Sequence, residues 1–285
     1  MDKQELGVIL VSDQIEPNLR TSELFCSTDA NLIFQSSDGV LFHIHNKYLE
    51  ANTEGFPPAG FDPQNDIVAL SEHSTTLELL FQFVYPARHP DLASVEFKTL
   101  APLAEAAEKY QAFSAMVVCK IRMMGTLPKH AEEIMDYAVK HDYPEIMGGA
   151  APLILNKSLE EILMKLPRNL IIPWVNYHSK WANLLKYAAS CHTVIYDLGL
   201  TCTTINRHHI RHTNNQICRS CSITQETMIV QVFTQLLRGT VSLSQLDLTF
   251  DQSFVCCNKM KPGLAAWRSA VELEMSKIPN LITFL

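Results

Sequence analysis

Residues 31–44 read Asn31-Leu32-Ile33-Phe34-Gln35-Ser36-Ser37-Asp38-Gly39-Val40-Leu41-Phe42-His43-Ile44, and this stretch decides the fold. Two short apolar runs rich in β-formers flank a tight turn that ends in Asp38-Gly39. The pattern predicts a β-hairpin, with Phe34, Val40, Phe42 and Ile44 packed on one side of it.

Beyond the hairpin, helical periodicity takes over from Lys47 to Thr53, and Gly55 with Pro57-Pro58 ends it. Ile67-Val68-Ala69-Leu70 is a third short strand. Ser74 is placed to cap a helix carrying Leu77, Leu79, Leu80, Phe81, Phe83 and Val84, which runs out at Pro86. A further helix spans Leu100 to Tyr110, where Leu100, Leu103, Ala104, Ala107 and Tyr110 share one face. From Ser114 to Met124 the apolar band of Met116, Val117, Cys119, Ile121 and Met123 is wide, which predicts burial on more than one side. Before the hairpin, residues 1–28 lack a clear period and Pro17 breaks them. Ser22 there is a candidate cap for a short helix containing Leu24 and Phe25.

The C-terminal part reads as helices: Ala131–His141, Glu145–Leu155, Ser158–Leu166 and Pro173–Ala189. Leu159, Ile162, Leu163 and Leu166 form a stripe in the third, and Trp174, Trp181, Leu184, Leu185 and Ala188 are expected core in the fourth. Residues 190–225 lose periodicity and become rich in Thr, Asn, His and Cys. Helices resume at Glu226–Leu237, Leu243–Phe254 and Leu264–Ile278. The expected organisation is α+β: an N-terminal extension over residues 1–24, a domain of short strands covered by helices over 25–125, and an all-α region over 126–285 with an irregular insert near 190–225.

The 285 residues are 47% hydrophobic and 19% charged, a composition that folds rather than staying disordered. The formal net charge is −7, and it is uneven: 17 acidic and 8 basic residues in 1–125, against 13 and 15 in 126–285. An acidic balance repels a phosphate backbone, so nucleic acid is an unlikely partner. The start, MDKQELGVILVSD, lacks the basic opening and long apolar core of a signal peptide. No stretch approaches the roughly 20 apolar residues of a membrane span. A cytoplasmic or nuclear location is expected. There thiols stay reduced, and Cys26 and Cys119 are read as small buried apolar groups.

Together with the residues at its start, the order hairpin, helix, strand, helix, helix, helix resembles a BTB (POZ) domain. The resemblance is carried by Asp29, Asn31–Phe34, Ser36–Gly39, Phe42, His45, Lys47, Leu49 and Phe56, and by Leu79–Tyr85 (LLFQFVY) leading into a turn. That turn is Tyr85-Pro86-Ala87, where the family has a YTG-like sequence. The likeness covers about residues 25–125. The phrases AEAAEKYQ, YAVKHDYPEIM and AAPL are similar to the helical extensions of fungal proteins that carry this domain. What the resemblance implies is a protein-interaction adaptor that homodimerises, with a cullin or a transcriptional partner bound in some members. The tail carries no Kelch, zinc-finger or ankyrin array.

Catalytic motifs are absent: no Gly-rich phosphate loop, no His-Glu-x-x-His, no Gly-x-Ser-x-Gly, no Asp-rich calcium loop. No enzyme activity, cofactor or catalytic residue is expected. Gly148-Gly149 reads as a helix break, and Glu132-Glu133 and Glu160-Glu161 as helix-starting acids that complement the dipole. His45 sits where the family ties strand to helix, so a structural hydrogen bond is expected of it and of His43. Cys218-Arg219-Ser220-Cys221 has zinc-pair spacing. Cys256-Cys257 could supply a second pair, with Cys191, His192, Cys202, His208, His209 and His212 nearby. Adjacent cysteines seldom reach one ion, and 34 residues separate the pairs, so no metal site is assigned. Arg207-His208-His209-Ile210-Arg211-His212 with Arg219 could touch phosphates, which gives a transcriptional or nucleic-acid-associated regulator as the alternative reading, but the string lacks interleaved aromatics and reads first as a solvated loop.

Overall fold

Alternation in the two runs of the hairpin puts every second side chain on one face, and that face becomes the floor of a core. The structure, a computed structural model, describes residues 20–56, 67–191, 219–240, 243, 245–252 and 261–285, with backbone alone at 219–226. The chain divides into two compact units, Met1–Gly125 and Thr126–Leu285. It is mixed α+β, with one small sheet and many helices.

The sheet of the first unit has four strands in the order β1-β3-β2-β4: β1 Arg20–Cys26, β2 Leu32–Gln35, β3 Val40–Ile44 and β4 Ile67–Ala69. β2 and β3 pair antiparallel with Phe34 opposite Phe42, as the hairpin pattern predicts. Gly39 takes a positive φ of 82° in the turn. Ser36 closes the turn by accepting from the Val40 N–H at 2.9 Å. Leu32, Phe34, Val40, Phe42 and Ile44 are all buried. β4 pairs parallel with β2.

β1 corrects the expectation for residues 1–28. Instead of a helix capped by Ser22, Arg20–Cys26 runs parallel to β3, with an irregularity between Thr21 and Cys26. Residues 20–24 therefore belong to the sheet and not to an N-terminal extension. Phe25 is buried on the Phe42 and Phe81 rings, whereas Cys26, expected inside, is exposed. A free sheet edge supplied what local periodicity lacked: hydrogen-bond partners and an apolar wall.

Four helices complete the first unit: α1 Asn46–Asn52, α2 Ser74–Val84, α3 Phe97–Lys109 and α4 Phe113–Thr126. α3 starts three residues before its expected Leu100. The centre of the core is Phe81 of α2, whose ring lies 5.5–6.1 Å from those of Phe25, Phe34, Phe42 and Phe56. Ser74 is not the cap of α2. His73 precedes the helix and its Nδ1 accepts from the Thr75 N–H. The Ser74 N–H and hydroxyl both donate to Asp38, at 2.8 and 2.7 Å. An acid in the hairpin turn thus serves a helix start 36 residues further on.

The second unit has helices and no strand among its described residues: α5 Ala131–Lys140, α6 Pro144–Ala150, α7 Leu159–Lys165, α8 Arg168–Ser190, α9 Arg219–Leu236, α10 Leu246–Thr249 and α11 Lys261–Met275. Four expectations change. α8 begins at Arg168, before Pro173; α9 begins at Arg219, so 219–225 are helical and not irregular. The helix expected over Leu243–Phe254 is described only as the short α10. Gly148 and Gly149 lie within α6 rather than breaking it. A Cβ on Gly148 would fall 2.2 Å from Asn280 Oδ1, so glycine is what allows that close approach.

Trp174, Trp181 and Trp267 are buried as expected. Trp267 donates from Nε1 to the Ala188 carbonyl at 2.7 Å and meets the rings of Phe233 and Phe250. Glu132 and Glu133 open α5, and Glu160 and Glu161 open α7, whose Ser158 caps it through the Glu161 N–H. In α7 only Ile162 of the expected stripe is fully buried; Leu159, Leu163 and Leu166 are half-buried. Among the described residues no helix is long and apolar enough to cross a membrane.

Candidate interaction surface

α4 departs furthest from its sequence pattern. Its buried face is a narrow stripe of Ala115, Cys119 and Met123, spaced four apart. The larger side chains Phe113, Val117, Ile121 and Met124 face outward, at 45, 60, 64 and 42% exposure. Burial on one side only replaces the burial on several sides that the wide apolar band implied. The small residues explain which side faces in, because Ala115 and Cys119 let α4 lie close against its neighbours.

Polar pins near both ends hold α4 in this rotation. At its start the Ser114 hydroxyl donates to the Phe83 carbonyl at 3.0 Å. Towards its end the Arg122 guanidinium donates to the Leu92 and Ala93 carbonyls at 3.1 and 3.0 Å. The reversal from α3 is set by Gln111 at φ 51°, with the Ala112 N–H bonded back to the Ala107 carbonyl. Inside, burial and then the Glu108 charge push the Cys119 thiol up to about 12, so it stays a protonated packing group. Four large apolar side chains at i, i+4, i+8 and i+11 thus form an exposed stripe along one side of the helix.

The sheet edges are less inviting. β4 is three residues long and β1 is irregular, both familiar ways of blunting an edge, although Leu24 and Ile67 are exposed there.

His45 makes the structural bonds expected of it, with a partner the sequence did not reveal. Tyr85 Oη accepts from the His45 backbone N–H at 3.1 Å and lies 2.8 Å from Nδ1. Since the hydroxyl already accepts, its proton is assigned to Nδ1. That leaves the Nε2 proton facing Asp29, 3.2 Å away. Hydrogen bonds from Ser27 and His45 hold Asp29 below the ordinary carboxylate range. The chain Asp29–His45–Tyr85 has the look of a relay, yet both Tyr85 contacts are spent on His45. It ties the end of β3 to the end of α2. His43 is half-buried and pairs in register with Ile33 and Cys26.

A second polar lock holds the entry to α2. Glu72 accepts from Tyr110 Oη at 2.6 Å and Lys109 Nζ at 2.7 Å. Burial works against its charge, but Lys109, Tyr110 and Ser71 outweigh burial and keep Glu72 below its usual range. Tyr110 in turn stacks on Phe56 at 4.0 Å.

Most of the cysteine–histidine constellation falls outside the described residues: His192, Cys202, His208, His209, His212, Cys218, Cys256 and Cys257, as does the string Arg207–His212. Arg219 and Cys221 are placed by backbone alone, at the start of α9. Cys191 is buried at the end of α8. Among the described residues no group of three or more His, Cys, Asp or Glu side chains could hold a metal ion. No protein-family model matches the chain, and no curated protein matches it.

Proposed function

We propose that this chain is a non-enzymatic protein-interaction adaptor whose first unit is of the BTB type, acting by self-association and by docking a partner protein. The observation that carries the proposal is the outward apolar stripe of α4, which displays Phe113, Val117, Ile121 and Met124 on a helix pinned at both ends. Displaying four large apolar groups to water is costly for a chain that stays alone, at about 25 cal/mol per Å² of apolar surface. The order hairpin, helix, strand, helix, helix, helix supports the family assignment, as do the placements of His45, Leu49 and Phe56. The stripe would form the apolar centre of a larger interface, since stable association needs about 800 Å² per partner.

Light scattering on the full chain tests the proposal. A dimer mass at high micromolar concentration is expected, with the Val117→Ser/Ile121→Ser double variant folded but monomeric. A strict monomer for the unaltered chain would sink self-association. A double variant that dimerises as well as the parent would move the interface away from α4.

A further inference from the structure

The second unit contains a concave feature that the interaction proposal does not use. α8, the end of α11 with the residues that follow it, and the C-terminal turn at residues 281–284 line an open groove of about 450 Å³. That size falls within the range of small-molecule sites, roughly 300–1,000 Å³. Its lining is mainly apolar: Leu184 is buried, and Ile278 and Phe284 are half-buried beside it. Phe284 is backed by Tyr177, which lies edge-on to both Phe284 and Trp181. The apolar wall is therefore supported from behind by packed aromatics.

The rim decides the sign of the charge. Glu274 and Lys277 face the groove and neutralise each other in an i, i+3 ion pair. Lys180 also lines the groove, is exposed, and has no carboxylate within ion-pair distance among the described residues. One unbalanced ammonium thus stands at the mouth of an apolar slot. We infer that this groove binds a small organic carboxylate, with its apolar body against Leu184, Ile278 and Phe284 and its head group on Lys180. A cationic ligand would meet Lys180 unfavourably, and a neutral one would leave the ammonium unused.

Methyl NMR on the full chain tests this, with octanoate as the probe and octanol and octylammonium as controls of equal length. Octanoate is expected to shift the Leu184 and Ile278 methyl signals saturably, with a Kd on the order of 1 mM for so small a ligand. Octanol and octylammonium should bind at least about fivefold more weakly. Lys180→Met, an exposed change, should weaken octanoate about fivefold and leave octanol as it was. Leu184→Trp, which fills the slot, should abolish the shifts at Ile278. The assignment is overturned if octanoate leaves these methyls unmoved at about ten times the expected Kd. Equal shifts from all three probes, or unaltered octanoate binding by the Lys180→Met chain, would overturn it as well. None of these outcomes depends on whether the chain self-associates.

Discussion

The two units solve the same problem, covering apolar surface, with different means. In the first, strands bring distant segments side by side, and rings from β1, β2, β3 and the region after α1 converge on Phe81. Its long-range polar ties run between elements far apart in sequence: Asp38 to Ser74, His45 to Tyr85, Glu72 to Tyr110. In the second unit aromatics follow one another along a single helix, Trp174, Tyr177 and Trp181 of α8, and meet helices that pack beside it. Both reverse a helix by the same device, a non-glycine residue at positive φ, Gln111 in one and Asp142 in the other. What differs is the surface left over. The sheet unit leaves a convex apolar stripe on its last helix, and the helical unit leaves a concave groove. A convex stripe suits another polypeptide and a slot suits a small molecule, so the contrast is open to experiment.

The largest effect expected is at the centre of the first unit. Phe81→Ala should cost about 3–5 kcal/mol, the usual range for emptying a buried phenylalanine site. All three tryptophans, Trp174, Trp181 and Trp267, lie in the second unit, so their emission reads that unit alone. In urea the far-UV signal of the first unit should move to lower denaturant, while the tryptophan midpoint stays within about 0.5 kcal/mol. Equal movement of both would merge the two units into one cooperative body.

Next comes Gly55→Ala. A Cβ there would lie 2.6 Å from the Tyr110 Cα, backbone that cannot retreat without disturbing the Phe56–Tyr110 stack. A loss of about 1–3 kcal/mol is expected in chemical denaturation. Tyr85→Phe follows, at about 1–2 kcal/mol, because the His45 N–H loses its acceptor. Imidazole nitrogen shifts should then show His45 Nδ1 without its hydrogen-bond donor while Nε2 keeps its proton, facing Asp29, and a ring proton found on Nδ1 in the parent would contradict the assigned positions.

Asp38→Ala is expected to cost about 1 kcal/mol at neutral pH, as loss of a helix-start acceptor does. Burial opposes the Asp38 charge, yet hydrogen bonds from Ser74 and Ser36 hold its carboxyl well below the ordinary 3.8. A folded chain with a depressed carboxyl binds fewer protons in acid than the unfolded chain. The contribution is therefore complete above the ordinary value and is lost as pH falls through the folded one. In acid titrations the gap between parent and variant should close below about pH 4. A gap that persists would place the Asp38 effect in packing. The smallest change is Ile121→Ser at concentrations dilute enough to keep the chain monomeric, within about 0.5 kcal/mol for a side chain that is exposed in the single chain. A larger loss that depends on protein concentration would show the stripe covered in solution.

Much of this molecule was legible from local pattern. The alternation of Leu32, Phe34, Val40, Phe42 and Ile44 announced both the hairpin and its buried face, because strand geometry sends every second side chain the same way. Three-four spacing similarly located α3 and the buried tryptophans of α8. The Asp29–His45–Tyr85 tie was half legible: His45 stood out and Tyr85 did not, for nothing local links positions 40 apart. Asp38 looked like a turn residue and nothing more. Cys26 was misplaced because apolar neighbours in sequence do not fix which side of a strand a residue takes.

The sequence by itself determined the fold class, the hairpin, the helix periods and the apolar side chains that could enter a core. Only the tertiary structure decided that Arg20–Cys26 is a strand, that Asp38 serves α2, that Gly148 admits Asn280, and that α4 turns its small residues inward. The reason is physical: local periodicity shows which faces are apolar. Which face is buried depends on the shape and hydrogen-bond groups of a neighbour brought from elsewhere in the chain.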